Sequence, residues 1–91
     1  MAKILLVDDY FETREIYSKL LQQAGHTIVL ESDGKSAYQK ILAENFDLIL
    51  LDIYLPQMNA VEILKSLKQN HIGEKNIVVM SVIGQENLIK D

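Results

Sequence analysis

The segment KILLVDD, residues 3–9, places an apolar run directly before two adjacent aspartates. Ile4 to Val7 are apolar at consecutive positions, which is typical of a strand buried on both faces of a parallel sheet. The adjacency of Asp8 and Asp9 is unfavourable, because two ionised carboxylates about 4 Å apart repel by roughly 4 kcal/mol at an effective dielectric of about 20. Some other interaction should therefore offset that repulsion.

Three further apolar runs have strand length, and segments with helical spacing separate all four. These runs are Thr27 to Leu30, Leu48 to Leu51 and Ile77 to Met80. The apolar helix faces comprise Ile16, Leu20, Leu21 and Ala24, then Ala37, Tyr38, Ile41 and Leu42, then Ala60, Ile63, Leu64 and Leu67. Gly25 predicts the end of the first helix, Asp33-Gly34 a turn into the second, and Pro56 a break before the third. The predicted order is βαβαβαβ, followed by a short tail from Ile83 to Asp91.

This alternation predicts an α/β fold, a parallel sheet with right-handed crossovers and helices on both faces. In such a sheet, ligands bind beyond the carboxyl ends of the strands. Asp8 and Asp9 lie at the carboxyl end of the first strand, and Asp52 directly follows the run Leu48 to Leu51. If the first and third strands are neighbours, the three carboxylates share one pocket.

A pocket with three carboxylates is usually relieved by a divalent cation or by a raised pKa. Mg²⁺ fits best, with Mn²⁺ as a possible substitute, because it takes one or two carboxylates and keeps several waters. No His or Cys lies near enough in the sequence to indicate zinc. The alternative left open is that one or two of the aspartates only cap the helices that follow them.

Composition excludes several other classes of protein. At 91 residues the chain is predicted to be a single domain, 1–91, and its apolar fraction of 48% is that of an ordinary soluble protein without a membrane span. The net charge of −4, with no basic stripe, argues against direct contact with nucleic acid. With no cysteine and no signal-peptide core, a cytoplasmic location is the expectation.

The segments ILLVDD, DLILLDIYLPQMN and IVVMS resemble the receiver domain of two-component response regulators, and the likeness covers nearly the whole chain. The resemblance implies a flavodoxin-like sheet in the order 2-1-3-4. It also implies a signalling domain rather than an enzyme, which accepts a phosphoryl group on Asp52 from a histidine kinase or phosphotransfer protein.

Matched by position, the resemblance implies a role for each site residue. Asp9 and Asp52 would bind Mg²⁺ directly, and Asp8 would act mainly through a bound water. The backbone carbonyl of Tyr54 would be the remaining protein ligand. Ser81 stands where the family has a Thr or Ser whose hydroxyl bonds the phosphoryl group.

The sequence departs from the family pattern in three places. Ala60 stands where the family usually has Gly, and Val82 follows Ser81 where a small residue is common. The chain stops at Asp91, before the family's fifth strand and fifth helix and the lysine that pairs with the phosphoryl group. We therefore expect a shortened receiver in which phosphorylation of Asp52 is impaired.

Two alternative functions remain open, and the sequence also predicts self-association. The chain could be an interaction or assembly module that performs no phosphotransfer. A phosphohydrolase ranks last, because Tyr54 stands two residues after Asp52, where an aspartyl-nucleophile hydrolase needs a second aspartate. Without a fifth strand, Ile77 to Met80 would form an exposed apolar edge, so we expect a homodimer or higher oligomer through that edge or through an exchanged tail from Ile83.

Overall fold

Strands and helices alternate along residues 1–73 and 75–80, the part of the chain that the computed structural model describes. The elements are β1 (Lys3–Val7), α1 (Phe11–Gln23), β2 (Thr27–Glu31), α2 (Gly34–Ala43), β3 (Leu48–Asp52), α3 (Ala60–Gln69) and β4 (Ile77–Met80). The order predicted from the sequence is confirmed, and the strand bounds agree closely. The predictions for Ser81, Val82 and the tail lie outside the described residues.

The four strands form one parallel sheet in the order β2-β1-β3-β4, as predicted. Val7 of β1 pairs with Leu51 of β3, and Asp52 at the end of β3 pairs with Met80 of β4. Because β1 and β3 are parallel neighbours in this register, the residue after Val7 emerges beside Asp52. The sheet topology alone therefore brings Asp8 and Asp52 to the same edge.

The main buried cluster lies between the sheet and the helices α2 and α3. Its members are Leu5, Val7, Ala37, Ile41, Ile49, Leu51, Leu55, Ala60, Ile63 and Leu67. The strand residues in it recur with a period of two, as expected for one face of a pleated sheet. The predicted faces of α2 and α3 are buried, or half-buried at Tyr38, except for Leu42 and Leu64, which are 50% and 41% exposed. This cluster fixes β3, and with it Asp52.

Helix α1 departs from the sequence expectation. Ser18 is its buried residue and Leu21 is half-buried, whereas Ile16 and Leu20 are each 57% exposed. On a helix with 3.6 residues per turn, Ile16 and Leu20 lie roughly 160° from Ser18, so they point away from the side that meets the sheet. The apolar spacing of α1 therefore marks a face that the described residues leave largely uncovered. No described helix is long and apolar enough to cross a membrane.

The predicted helix boundaries are confirmed. Gly25 has a φ of 96° just after α1 and donates its N–H to the carbonyl of Gln22 at 2.9 Å, which ends the helix in the left-handed conformation that glycine adopts without strain. Asp33 caps α2 by accepting the backbone N–H of Ser36 at 2.7 Å. Pro56 lies in the loop before α3, as its inability to continue a strand or helix predicts.

Candidate metal centre

Three aspartates meet at the carboxyl edge of the sheet. Asp8 and Asp9 follow β1 directly, and Asp52 is the last residue of β3. One carboxylate oxygen from each of the three lies within 4.8 Å of the other two. The structure therefore brings together the carboxylates that the sequence predicted to share a pocket.

The three carboxylates differ in their access to water. Asp8 has no exposed surface and Asp52 is 2% exposed, whereas Asp9 is exposed. Burying two carboxylates side by side is expensive unless each is paired or one is neutralised. Asp8 and Asp52 therefore form the buried part of the site, and Asp9 lies where the site opens to solvent.

The electrostatic cost appears in the pKa values of the two buried groups. Burial raises the pKa of Asp52 to about 6, and the charges of Asp8 and Asp9 add to the shift while the backbone N–H groups of Tyr54 and Ile53 partly oppose it. Burial also raises the pKa of Asp8; the backbone N–H of Tyr10 opposes that rise and the charge of Asp9 adds to it. Both shifts mean that the site favours a positive partner, either a proton or a cation.

One oxygen of Asp8 has no hydrogen-bond partner among the described residues. The other oxygen, Oδ1, accepts the backbone N–H of Tyr10 at 2.9 Å, but Oδ2 is buried and unpaired. A buried acceptor left in this state costs about 1 to 3 kcal/mol, more when it is charged. A cation-bound water beside Oδ2 would remove that cost, so the residues present fit an oxygen-ligated ion such as Mg²⁺.

The capping alternative does not account for the cluster. The N-cap of α1 is Tyr10, which makes no side-chain cap bond. The N-cap of α3 is Asn59, which forms a capping box with Glu62. The carboxylate of Asp8 accepts the N–H two residues ahead, a local turn in which one of its two oxygens stays unpaired among the described residues. Neither helix that follows the acidic residues therefore depends on an aspartate cap.

The remaining predicted site residues are Tyr54 and Ser81. Tyr54 lies beyond the end of β3 and is 63% exposed. Its backbone N–H donates to the Asp52 carboxylate and opposes the rise in the pKa of that group. Ser81 lies outside the described residues; the residue before it, Met80, pairs with Asp52 across β3 and β4. The assignments of Tyr54 and Ser81 stay predictions.

Arg14 is a neighbour of the site that the sequence reasoning missed. Its Nη1 donates to the backbone carbonyl of Asp8 at 2.7 Å, and its guanidinium carbon lies 5.6 Å from the ring centre of Phe11. A cation near the start of a helix opposes the helix dipole unless an acceptor holds it. An arginine early in α1, soon after the acidic pair, was therefore the available signal for a contact between helix and loop.

Comparison with known proteins assigns the chain to one family. The family model described as the response regulator receiver domain matches residues 4–91. The transcriptional regulatory protein CpxR of Escherichia coli (strain K12) is 35% identical over 86 residues, which cover 94% of this chain and 36% of that protein. The protein CrdR of Helicobacter pylori is 27% identical over 89 residues, or 98% of this chain and 42% of that protein.

Solved structures agree with this assignment. The receiver domain of the Francisella response regulator 1452 aligns with a TM-score of 0.83 at 25% identity, covering 99% of this chain and 74% of that chain. The response regulator TrrA of Thermotoga maritima, solved in complex with Mg²⁺-BeF, aligns with a TM-score of 0.80 at 30% identity and covers 89% of this chain and 70% of that one. The chain spans 36% and 42% of the two curated relatives, so it is similar to a part of each.

Proposed function

The chain belongs to the response regulator receiver domains of two-component systems, and from that membership we propose that it accepts a phosphoryl group on Asp52 with Mg²⁺ bound beside it. The fold is the flavodoxin-like receiver fold that the sequence predicted. The observation that carries the proposal is the buried pair Asp8 and Asp52, with an unpaired oxygen on Asp8 and the exposed Asp9 at the opening.

Each residue then has a defined task. Asp9, Asp52 and the carbonyl of Tyr54 would hold Mg²⁺, and Asp8 would hold one of its waters through the unpaired Oδ2. Bound Mg²⁺ supplies positive charge beside the phosphoryl oxygens. A carboxylate oxygen of Asp52 attacks the phosphorus of a phosphohistidine, the P–N bond breaks, and the histidine nitrogen leaves with that bond's electron pair. The hydroxyl of Ser81 would donate to the transferred group.

The proposed donor is a histidine kinase or phosphotransfer protein. TrrA supports the proposal because beryllofluoride bound with Mg²⁺ stands in for a phosphoryl group. The curated relatives are named as transcriptional regulators, and we propose that residues 1–91 contribute the receiving part of such a protein. The net charge of −4 argues against direct contact between these residues and nucleic acid.

Divalent-ion binding tests the proposal. We expect Mn²⁺, followed by electron paramagnetic resonance, to bind the wild-type chain weakly and to lose at least about tenfold in affinity in Asp9→Asn and in Asp52→Asn. Asp47→Asn is the matched control, because Asp47 lies just before β3, at the opposite edge of the sheet, and its side chain accepts the N–H of Lys3 at 2.8 Å, which asparagine can also do. Equal affinity in all four proteins would refute the shared site.

Self-association stays a prediction with partial structural support. Among the described residues β4 pairs with β3 alone, and Val78 and Val79 on it are 48% and 39% exposed. An apolar strand with one unpaired edge tends to pair with a similar edge. We expect sedimentation of the 91-residue chain to give a mass that rises to that of a dimer with concentration. A monomer mass at every concentration would count against this surface as an interface.

A further inference from the structure

Gly34, the first residue of α2, touches the loop that follows β3. Its backbone N–H donates to the carbonyl of Pro56 at 3.1 Å. Gly34 is buried, and a Cβ built on it would collide with the backbone carbonyl of Met58. Only glycine therefore permits this approach between the start of α2 and the β3–α3 loop, residues 53–59.

The part of the loop that Gly34 contacts is strained. Gln57 has a φ of 71°, in the left-handed region that non-glycine residues rarely adopt, and the N–H of Met58 donates back to the carbonyl of Pro56 at 2.8 Å. A turn closed over three residues with a positive φ at its centre is rare, and such strain costs about 1 to 3 kcal/mol. It persists where surrounding structure holds it, and Gly34 provides the second hydrogen bond to the same carbonyl.

This strained turn lies one residue away from a proposed metal ligand. Leu55 alone separates Tyr54 from Pro56, and Leu55 is 6% exposed in the main core. On the other side, the N–H of Ile53 donates to the carbonyl of Met80 at 2.9 Å. The backbone of Tyr54 is thus held between β4 on one side and the core and the Gly34 contact on the other.

The turn that presents Gly34 is itself fixed by a side chain. Asp33 accepts the backbone N–H of Ser36 at 2.7 Å with one oxygen and the Ser36 hydroxyl at 3.1 Å with the other. These two bonds cap α2 and set the direction in which the N–H of Gly34 points. Neither Asp33 nor Gly34 belongs to the acidic cluster.

We propose that the Asp33-Gly34 turn is a positioning element of the metal centre: it holds the strained turn at Pro56 to Met58, and through that turn the backbone of Tyr54 beside Asp52. This inference rests on the proposed function, because it assigns Tyr54 to the ion. The connection between β2 and α2 would thus support the metal centre indirectly, and none of its side chains would bind the ion.

The Mn²⁺ affinity of Gly34→Ala tests the inference. We expect binding about tenfold weaker than wild type, in the range usual for residues that orient metal ligands. Gly73→Ala is the matched control, because a Cβ at Gly73 meets nothing within 4 Å, and its affinity should equal that of wild type. Urea unfolding of each variant, measured without the ion, reports stability separately.

A second pair of variants decides the case if Gly34→Ala does not fold. Asp33→Ala removes both the cap and a negative charge, whereas Asp33→Asn removes the charge and keeps a good cap. We expect Mn²⁺ to bind several-fold more weakly to Asp33→Ala than to Asp33→Asn. Equal affinities in this pair would overturn the inference.

The outcomes separate this inference from the proposed function. Loss of affinity in Gly34→Ala with Gly73→Ala unchanged supports the positioning role. Wild-type affinity in a folded but less stable Gly34→Ala would show that Gly34 serves packing alone, and would leave the metal site intact. A wild-type chain that binds no Mn²⁺ would overturn the proposed function first, and the inference with it.

Discussion

Phosphoryl labelling by acetyl phosphate is expected to be slow, to need Mg²⁺, and to disappear in Asp52→Asn. Asp52 lies in the acidic cluster, and its pKa of about 6 leaves it ionised and nucleophilic at neutral pH. Asparagine at this position keeps the shape of the side chain but has no carboxylate to attack phosphorus. Labelling should be slow because we match no lysine of residues 1–91 to the family's lysine that pairs with the phosphoryl group, and a cation there stabilises the transferring charge.

Intact-mass spectrometry with peptide mapping measures this prediction. Asp47→Asn, at the other edge of the sheet, should be labelled as the wild type is. Label on a residue other than Asp52 would contradict the assignment of the acceptor. Rapid, stoichiometric labelling would show that the family's lysine is dispensable in this chain. No labelling in a chain that binds Mg²⁺ would favour the interaction module over the phosphoacceptor.

Without a divalent cation, the free energy of unfolding is expected to rise as the pH falls from about 7 to about 4. Burial raises the pKa of Asp52 from 3.8 to about 6, so the folded state binds this proton more tightly than the unfolded state does. The stabilisation is complete below the unfolded pKa and is lost as the pH rises through the folded one. At 1.36 kcal/mol per pKa unit, and allowing for coupling to Asp8, the effect is roughly 1 to 3 kcal/mol.

Urea unfolding in chelator across this pH range measures the effect, and Asp52→Asn isolates it. The variant should be more stable than wild type near neutral pH and should lose most of that advantage near pH 4, where Asp52 is protonated in the folded state and close to its pKa of 3.8 in the unfolded state. Asp9→Asn should give a smaller gain, because Asp9 is exposed. Lys3 donates a hydrogen bond to Glu44 and lowers the pKa of that carboxyl, so Glu44 lowers the free energy of unfolding as the pH falls. This opposite effect is the same in wild type and in the variants. Parallel pH profiles for wild type and Asp52→Asn would contradict the prediction.

Most of the fold was predictable because its signals are local. Short apolar runs, three of them apolar at every position, identified all four strands, and their alternation with helices predicted a parallel sheet. Gly25 and Asp33 marked helix boundaries through conformations that those residue types favour. The buried side of α1 was not predictable, because Ile16 and Leu20 have helical spacing whether or not anything covers them. Periodicity shows that a helix has an apolar face, and tertiary contacts decide which face is buried.

The acidic centre was predictable for a different reason. Strand ends in a parallel sheet converge, so Asp8 and Asp52 had to meet once β1 and β3 were neighbours. The supporting contacts were not predictable in the same way. Arg14 and Gly34 donate hydrogen bonds to backbone carbonyls, and every residue carries such a carbonyl, so the sequence does not show which one a donor will meet. The contact of Gly34 with Pro56 depends on two loops that are distant in sequence, and only the folded chain brings them together.

The most direct test of the central claim, that the three aspartates form one divalent-ion site, is to locate bound Mn²⁺ by paramagnetic broadening in the NMR spectrum. We expect substoichiometric Mn²⁺ to broaden the backbone amide signals of Asp9 and Tyr54 first, and to spare Asp47 and Lys3 at the opposite edge of the sheet. Excess Mg²⁺ should restore the signals. Uniform broadening over the acidic surface, or broadening centred away from Asp9 and Asp52, would contradict the claim.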